Sequence, residues 1–395
     1  MTANFIFTSA SVTAGHPDKL CDQISDAIVD QFLQQDPCSR INAECAVASG
    51  VVFVAARFAS HAVVDIPEIA RHVIENVGYD QTDFNAKDCT ILTNFAELPA
   101  DGCRLGDETQ MSDVELDNVT AENHATVFGY ACKQTPTMLP MPIWLAHQFA
   151  RQLSLVRESK LISGLLPDGM SEVAIEYIND KPERIHSMVL VASHNEVYSD
   201  NAKDLNAALI KHVVDPVIEQ NGIGINEDTH IYINPQGPFF GGGPKIHSGL
   251  TGRKVAIDSY GQYCRMGSAA LSGKDPLRID RTGNYIARYA AKNVVAAGLA
   301  EECEVLVSYC IGQARPVTVQ VNTFGTGTVS DHDITMRLLD VIDFRPGAVI
   351  KQFNLRNLPA NKEGFYRKLA VYGHVGRNDI DLPWEKTDLI NLLSG

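Results

Sequence analysis

The sequence predicts an α/β fold built from three similar units. Two observations carry this. Three stretches repeat one plan, a pair of strand-like runs joined by turn residues and followed by an amphipathic helix. The length of 395 residues exceeds what one ordinary core holds and suits two or three domains.

In the first stretch, residues 41–48 and 51–58 flank Ser49-Gly50, and residues 64–78 follow with apolar positions at three- and four-residue steps. A two-residue turn there sets Glu44 opposite Ala55, which places Glu44 and Arg57 on one diagonal of the same face. In the second, residues 171–178 and 186–193 flank a turn over 179–184, and a helix is expected over 203–222. In the third, residues 303–312 and 316–324 form the hairpin and 331–344 the helix. A hairpin with one helix covers a single sheet face, so the units should pack around a shared core in a pseudo-threefold arrangement. Periodicity alone also admits three independent domains. Expected boundaries are 4–100, 117–234 and 236–378. The remaining sheet faces call for a partner subunit, hence a homodimer or a dimer of dimers. Between the first two units, residues 97–124 hold eight acids and one base, Arg104. That suits a mobile active-site loop or a plain solvated linker.

Composition narrows the function. Hydrophobic residues make up 45% and charged residues 21%, as in a globular protein. Acids outnumber bases 48 to 33, a net charge of -15, which argues against general nucleic-acid or membrane-surface binding. No apolar run approaches a membrane span, and the N-terminus has no basic segment leading into an apolar core. The nine cysteines are scattered without a C-x-x-C pair or zinc spacing, so reduced thiols in a cytoplasmic protein are expected.

Chemistry concentrates in three motifs. Gly15-His16-Pro17-Asp18-Lys19 opens a helix whose buried stripe is Leu20, Ile24, Ile28 and Phe32. A helix N-terminus favours an anion such as phosphate, and Asp18 suits Mg²⁺ held between phosphates. Equally, His16 could simply cap the helix while Asp18 complements its dipole. Residues 237–254 are glycine-rich and end on Arg253-Lys254; glycines let backbone approach a ligand, although the Walker spacing is absent. Ser272-Gly273-Lys274-Asp275-Pro276 places a lysine in a tight turn ahead of Asp280, a point charge for phosphate beside a second candidate metal carboxylate. Each motif alone also reads as an ordinary turn with solvated charges.

Together with FTSASVTAGHPDK, LTGRK, SGKDP, ARYAAKNVVAAGLA, VSYCIG, FGT, YGHVGR and PWEKTD, spread from residue 7 to residue 388, these motifs resemble the S-adenosylmethionine synthetase family. The resemblance implies three similar α/β domains, a dimer with sites between subunits, Mg²⁺ with K⁺, and attack of the methionine sulfur on C5′ of ATP with release of tripolyphosphate. Carried over residue by residue, it makes His16 the histidine that assists triphosphate departure. Asp18 and Asp280 become magnesium carboxylates and Glu44 the potassium carboxylate. Asp168, Arg253, Lys254, Lys274 and Asp280 fall on the ATP side, with Lys274 also counted as catalytic. Phe239 lies near the adenosine.

The expected acceptor pocket, comprising Arg57, Glu97, Asn123, His247 and Arg278, departs from the pattern. The family has acids where this chain has Arg57, Asn123 and His247, and a glutamine at Glu97. On the nucleotide side Met170 stands for a lysine, Pro238 for an arginine and Ala10 for a glutamate. An arginine beside the substrate ammonium repels it by about 4 kcal/mol at 4 Å and effective dielectric 20. Three readings follow: adenosyl transfer from ATP to an altered acceptor, an amino acid or a carboxylate-bearing nucleophile; ordinary S-adenosylmethionine synthesis; or a silent regulatory homologue. A pairing of Arg57 with Glu44 in place of K⁺ is a further expectation.

Overall fold

The computed structural model describes residues 4–81, 84–99, 106–198, 201–361 and 364–394; Arg104 lies outside them. The first unit runs β1 (Phe5–Val12), α1 (Pro17–Gln35), β2 (Arg40–Ala48), β3 (Val51–Ala59), α2 (Ile66–Val77) and β4 (Thr90–Glu97). The second runs β5 (Ala125–Cys132), α3 (Met141–Glu158), β6 (Leu165–Ile178), β7 (Lys181–His194), α4 (Ala202–Leu209) and β8 (His230–Ile233). The third runs β9 (Gly249–Leu250), α5 (Ile279–Ala296), β10 (Glu302–Tyr309), β11 (Thr318–Asn322) and α6 (Asp331–Val341). All three predicted hairpins are present, each followed by its helix.

What the repeat did not reveal is an exchange of strands. Each unit begins with a strand and a long helix, and each gives that strand away. β1 pairs antiparallel with β6, in register from Phe5↔Tyr177 to Val12↔Met170. β5 pairs antiparallel with β10, and β9 with β2. The sheet orders are therefore β9-β2-β3-β4, β1-β6-β7-β8 and β11-β10-β5. The loan is cyclic: the first unit lends to the second, the second to the third, the third back to the first. This favours the shared-core expectation over three independent domains.

The long helices sit inside. The predicted stripe of α1, Leu20, Ile24, Ile28 and Phe32, is 0–1% exposed, each side chain contributing about 2 kcal/mol through burial. Burial runs well beyond that stripe, to Asp18, Lys19, Asp22, Asp26 and Asp30. α5 is likewise buried over most of its surface.

Two local expectations change. The second hairpin turns in two residues, Asn179 and Asp180, both at positive φ (53° and 63°), rather than across six. Asparagine and aspartate tolerate that conformation, and paired left-handed residues match the twist of the strands. The acidic segment, expected to be mobile or a plain linker, is anchored over its described part. Glu108 is buried and accepts from Arg356 at 2.6 and 2.7 Å, and Asp117 accepts from Arg345 at 2.9 Å. Its carboxylates answer arginines of the C-terminal region.

One face of the first sheet is open. Val51, Phe53 and Leu92 are 41–50% exposed there, alongside the exposed Glu44 and Arg57.

Candidate active site

The site begins at the first turn of α1. His16 is the N-cap, and its Nδ1 accepts the Asp18 amide at 3.1 Å. The ring proton therefore lies on Nε2. Burial pushes the imidazole down to about 4, so His16 is a neutral donor at physiological pH. Gly15 is demanded by packing, because a Cβ there would lie 2.3 Å from the Pro167 carbonyl carbon. Gly249 is demanded likewise, 2.1 Å from the Pro17 oxygen. The borrowed strand β9 thus lies directly against the helix start.

That contact assembles the cations. The Leu250 amide donates to Asp18 Oδ1 at 3.0 Å. Arg253 Nη1 lies 3.4 Å from Asp18 Oδ1, and Lys254 Nζ 3.2 Å from Oδ2. Asp168, buried, accepts the Gly243 amide at 2.7 Å and pairs with His247 Nε2 at 2.8 Å. The His16 and His247 rings stand 4.9 Å apart, edge to face. Five predicted residues, His16, Asp18, Asp168, Arg253 and Lys254, meet here. His247, expected in the acceptor pocket, joins them instead, because Asp168 holds its ring.

A second cluster lies further along β2. The Thr251 amide donates to the Cys45 carbonyl at 2.9 Å and the Ala43 amide to the Gly273 carbonyl at 2.7 Å, so the two cationic loops occupy the same strand edge two residues apart. Lys274 Nζ pairs with Asp280 Oδ2 at 2.9 Å, and Lys274 bridges to Asn42. Asn42 is in turn the β-partner of Arg57. Beside them opens a cavity of about 470 Å³ whose lining includes Arg40, Arg57, Arg278 and Glu122. Arg40 pairs with Glu122, and Arg278 Nη1 lies 3.5 Å from it. Two of the predicted acceptor residues, Arg57 and Arg278, share this cavity.

The others stand apart. Glu97 is exposed at the end of β4, level with Phe58. Asn123 is exposed, its Oδ1 accepting the His124 amide at 2.9 Å. Phe239 is half-buried, and its carbonyl accepts the His194 amide at 3.0 Å. The first hairpin has the expected register, Glu44↔Ala55, yet no ion pair joins Glu44 to Arg57 among the described residues.

No three carboxylate, imidazole or thiol side chains converge as a ready metal cage among the described residues. Asp18 and Asp280 are single carboxylates, each facing a cation. This fits Mg²⁺ in a nucleotide site, where one or two carboxylates supplement phosphate oxygens.

Sequence reasoning missed Glu122, Arg40 and three buried aspartates of α1, Asp22, Asp26 and Asp30. The aspartates had a visible signal, a four-residue period continuing from Asp18 that puts them on one helix face.

Comparison with known proteins identifies the family. Residues 4–99, 118–239 and 241–386 match, in order, the N-terminal, central and C-terminal domain models of S-adenosylmethionine synthetase. The chain is 44% identical over 406 residues to the S-adenosylmethionine synthase of Gloeothece citriformis, covering 100% of this chain and 97% of that one. The synthase of Trichodesmium erythraeum is 43% identical, with 100% and 97% covered. That of Crocosphaera subtropica is 44% identical, with 100% and 98% covered. No described helix is long and apolar enough to cross a membrane. With all three domain models matched in sequence order and full-length relatives at this identity, the chain is an adenosyltransferase enzyme and belongs to the S-adenosylmethionine synthetase family.

Proposed function

We propose that this protein makes S-adenosylmethionine from ATP and methionine, the ordinary reaction of its relatives rather than transfer to an altered acceptor. The observation that carries this is the two-signed cavity. The charge argument against methionine rested on Arg57 standing where an acid was expected. Glu122, one residue from Asn123, supplies a carboxylate in the same cavity as Arg57 and Arg278. An α-amino acid needs both signs, a carboxylate for its ammonium and a guanidinium for its own carboxylate.

ATP lies with its triphosphate between the Arg253–Lys254 pair and Lys274, Asp168 organises the glycine turn, and Phe239 borders the adenosine. Asp18 and Asp280 would hold Mg²⁺, which would supply charge neutralisation on the phosphates. The methionine sulfur attacks C5′; the C5′–S bond forms as the C5′–O bond breaks, and the electron pair leaves on the triphosphate. His16, neutral with its proton on Nε2, donates a hydrogen bond to the departing oxygen. Preorganised cations stabilise the growing charge best where water is excluded. Glu44 faces K⁺. The open apolar face of the first sheet favours a homodimer, and the boundaries 4–100, 117–234 and 236–378 serve as working domains.

Incubation with Mg·ATP, K⁺ and methionine, with chromatographic detection of S-adenosylmethionine, tests the reading. A turnover of about 1 per second is ordinary for enzymes; a rate thousands of times lower would reject methionine as acceptor. The altered-acceptor reading retains one supporting observation, that Arg57 forms no ion pair among the described residues. A product formed faster with a dicarboxylate or another anionic nucleophile would favour it.

A further inference from the structure

α1 carries Asp18, Asp22, Asp26 and Asp30 at four-residue spacing, all 0–1% exposed. Each accepts a backbone amide from the chain beyond residue 249. Asp18 takes Leu250 at 3.0 Å, Asp22 takes Gly252 at 2.8 Å and Asp26 takes Gly273 at 2.8 Å. Asp30 takes Tyr366 at 2.9 Å and Arg367 at 3.0 Å. Buried carboxylates are costly, and apolar packing would usually serve stability better. Two of them require buried counter-charges: Lys19 Nζ lies 2.9 Å from Asp22 and also pairs with Asp258, while Arg281 pairs with Asp26.

The anchored amides explain the arrangement. Gly252 immediately precedes Arg253-Lys254, and Gly273 immediately precedes Lys274. Successive aspartates on a helix are about 6 Å apart along its axis, so one rigid rod fixes how far apart the two cationic loops stand. The loops have no slack. A Cβ on Gly273 would lie 2.0 Å from the Ala43 carbonyl oxygen, and one on Gly252 2.4 Å from the Ala270 Cβ. A displaced carboxylate must therefore displace the cation beside it.

We propose that Asp22 and Asp26 are positioning residues for triphosphate recognition, setting the separation of Arg253-Lys254 from Lys274, while Asp30 serves the fold alone. The inference rests on the triphosphate site proposed above. It follows that misplacing either anchor weakens binding of the phosphate chain and leaves the amino-acid side unaffected.

Asp22→Glu, Asp26→Glu and Asp30→Glu in the full-length protein test it, since each keeps the charge and moves the acceptor outward by one methylene. Inorganic tripolyphosphate and Mg·ATP are titrated separately by calorimetry, with folding followed by circular dichroism and methionine KM measured in parallel. Displacements near 1 Å cost up to about a hundredfold in comparable sites, so at least tenfold weaker tripolyphosphate binding is expected for the first two variants, with methionine KM within twofold of wild type. Asp30→Glu should bind as wild type even if its melting temperature falls. Asp26→Asn should retain near-normal binding, because among the described residues Oδ1 accepts both hydrogen bonds of Asp26 and Oδ2 accepts none. Equal loss at all three positions, or unchanged binding in folded Asp22→Glu and Asp26→Glu, overturns the proposal. Should the glutamate variants not fold, a tripolyphosphate affinity of Asp26→Asn more than tenfold below wild type overturns it, and a normal one sustains it. Wild-type protein that fails to bind tripolyphosphate at all removes the site and the proposal together. Protein that binds it but makes no S-adenosylmethionine removes only the reaction.

Discussion

Lys274→Ala is the most direct probe of where the triphosphate lies. Lys274 Nζ sits 2.9 Å from Asp280 Oδ2, with side chains 15% and 6% exposed. At that distance and an effective dielectric of 20 the attraction is about 6 kcal/mol, most of it already present before ligand arrives. What ATP gains is a charge-assisted hydrogen bond worth about 1.5–3 kcal/mol, so loss of the ammonium should weaken Mg·ATP binding roughly 10- to 150-fold. The upper part of that range is expected, because Asp280 is then left facing an incoming polyanion. Titration calorimetry with Mg·ATP reads the change directly. Adding Asp280→Asn to Lys274→Ala separates two roles for the carboxylate: affinity recovers if Asp280 only balances the lysine, and falls further if it holds Mg²⁺. Unchanged affinity in Lys274→Ala would refute the placement of the triphosphate between the two loops.

Three further outcomes are expected. Glu122→Gln should raise methionine KM about tenfold, the loss of one ion pair of roughly 1.4 kcal/mol, with ATP affinity unchanged in steady-state kinetics. Burial pushes the Asp30 carboxyl up to about 7, against the amides of Arg367 and Tyr366 and beside Asp26 and Arg281. The folded state then holds a proton that the unfolded chain releases near 4, so stability should decline from pH 4 to 7 and flatten above. The ceiling is on the order of 4 kcal/mol, and denaturant titrations should show a steeper decline in wild type than in Asp30→Asn, whose smaller slope comes from Asp258, also pushed up to about 7 by burial. Finally, since Glu44 is not neutralised by Arg57, replacing K⁺ by Na⁺ should slow the reaction severalfold, and Glu44→Gln should abolish the difference; insensitivity of wild type would point back to Arg57.

Much of the fold and part of the site were legible in the sequence. Alternation at 41–58 gave the first hairpin its register, because a two-residue turn leaves no freedom in it. Proline at position 17 and the stripe from Leu20 to Phe32 gave α1. The GHPDK, LTGRK and SGKDP motifs pointed to His16, Asp18, Arg253, Lys254 and Lys274, which the fold places along α1 and the β2 edge. Pairings between distant segments were not legible. His247 pairs with Asp168 and lies apart from Arg57 and Arg278, because a contact across 79 positions leaves no local trace. Glu122 was overlooked for a related reason: Asn123 occupied the aligned position, and a carboxylate displaced by one residue reads as a loss until the cavity is seen.

The cyclic loan of strands bears on how the molecule comes into being. As the chain emerges from synthesis, β1 has no partner until β6 has been made, 172 positions later in the register Phe5↔Tyr177. The first sheet waits longer still, for β9. Contacts of such separation slow folding, because the entropy of closing the loop precedes any gain. No unit is complete on its own, so an excised one would expose a bare strand edge prone to sticking. The loan of β9 onto β2 is also the one that brings Arg253 and Lys254 to Asp18. The phosphate site proposed above therefore cannot assemble until the chain beyond residue 250 has been made and β9 has reached β2.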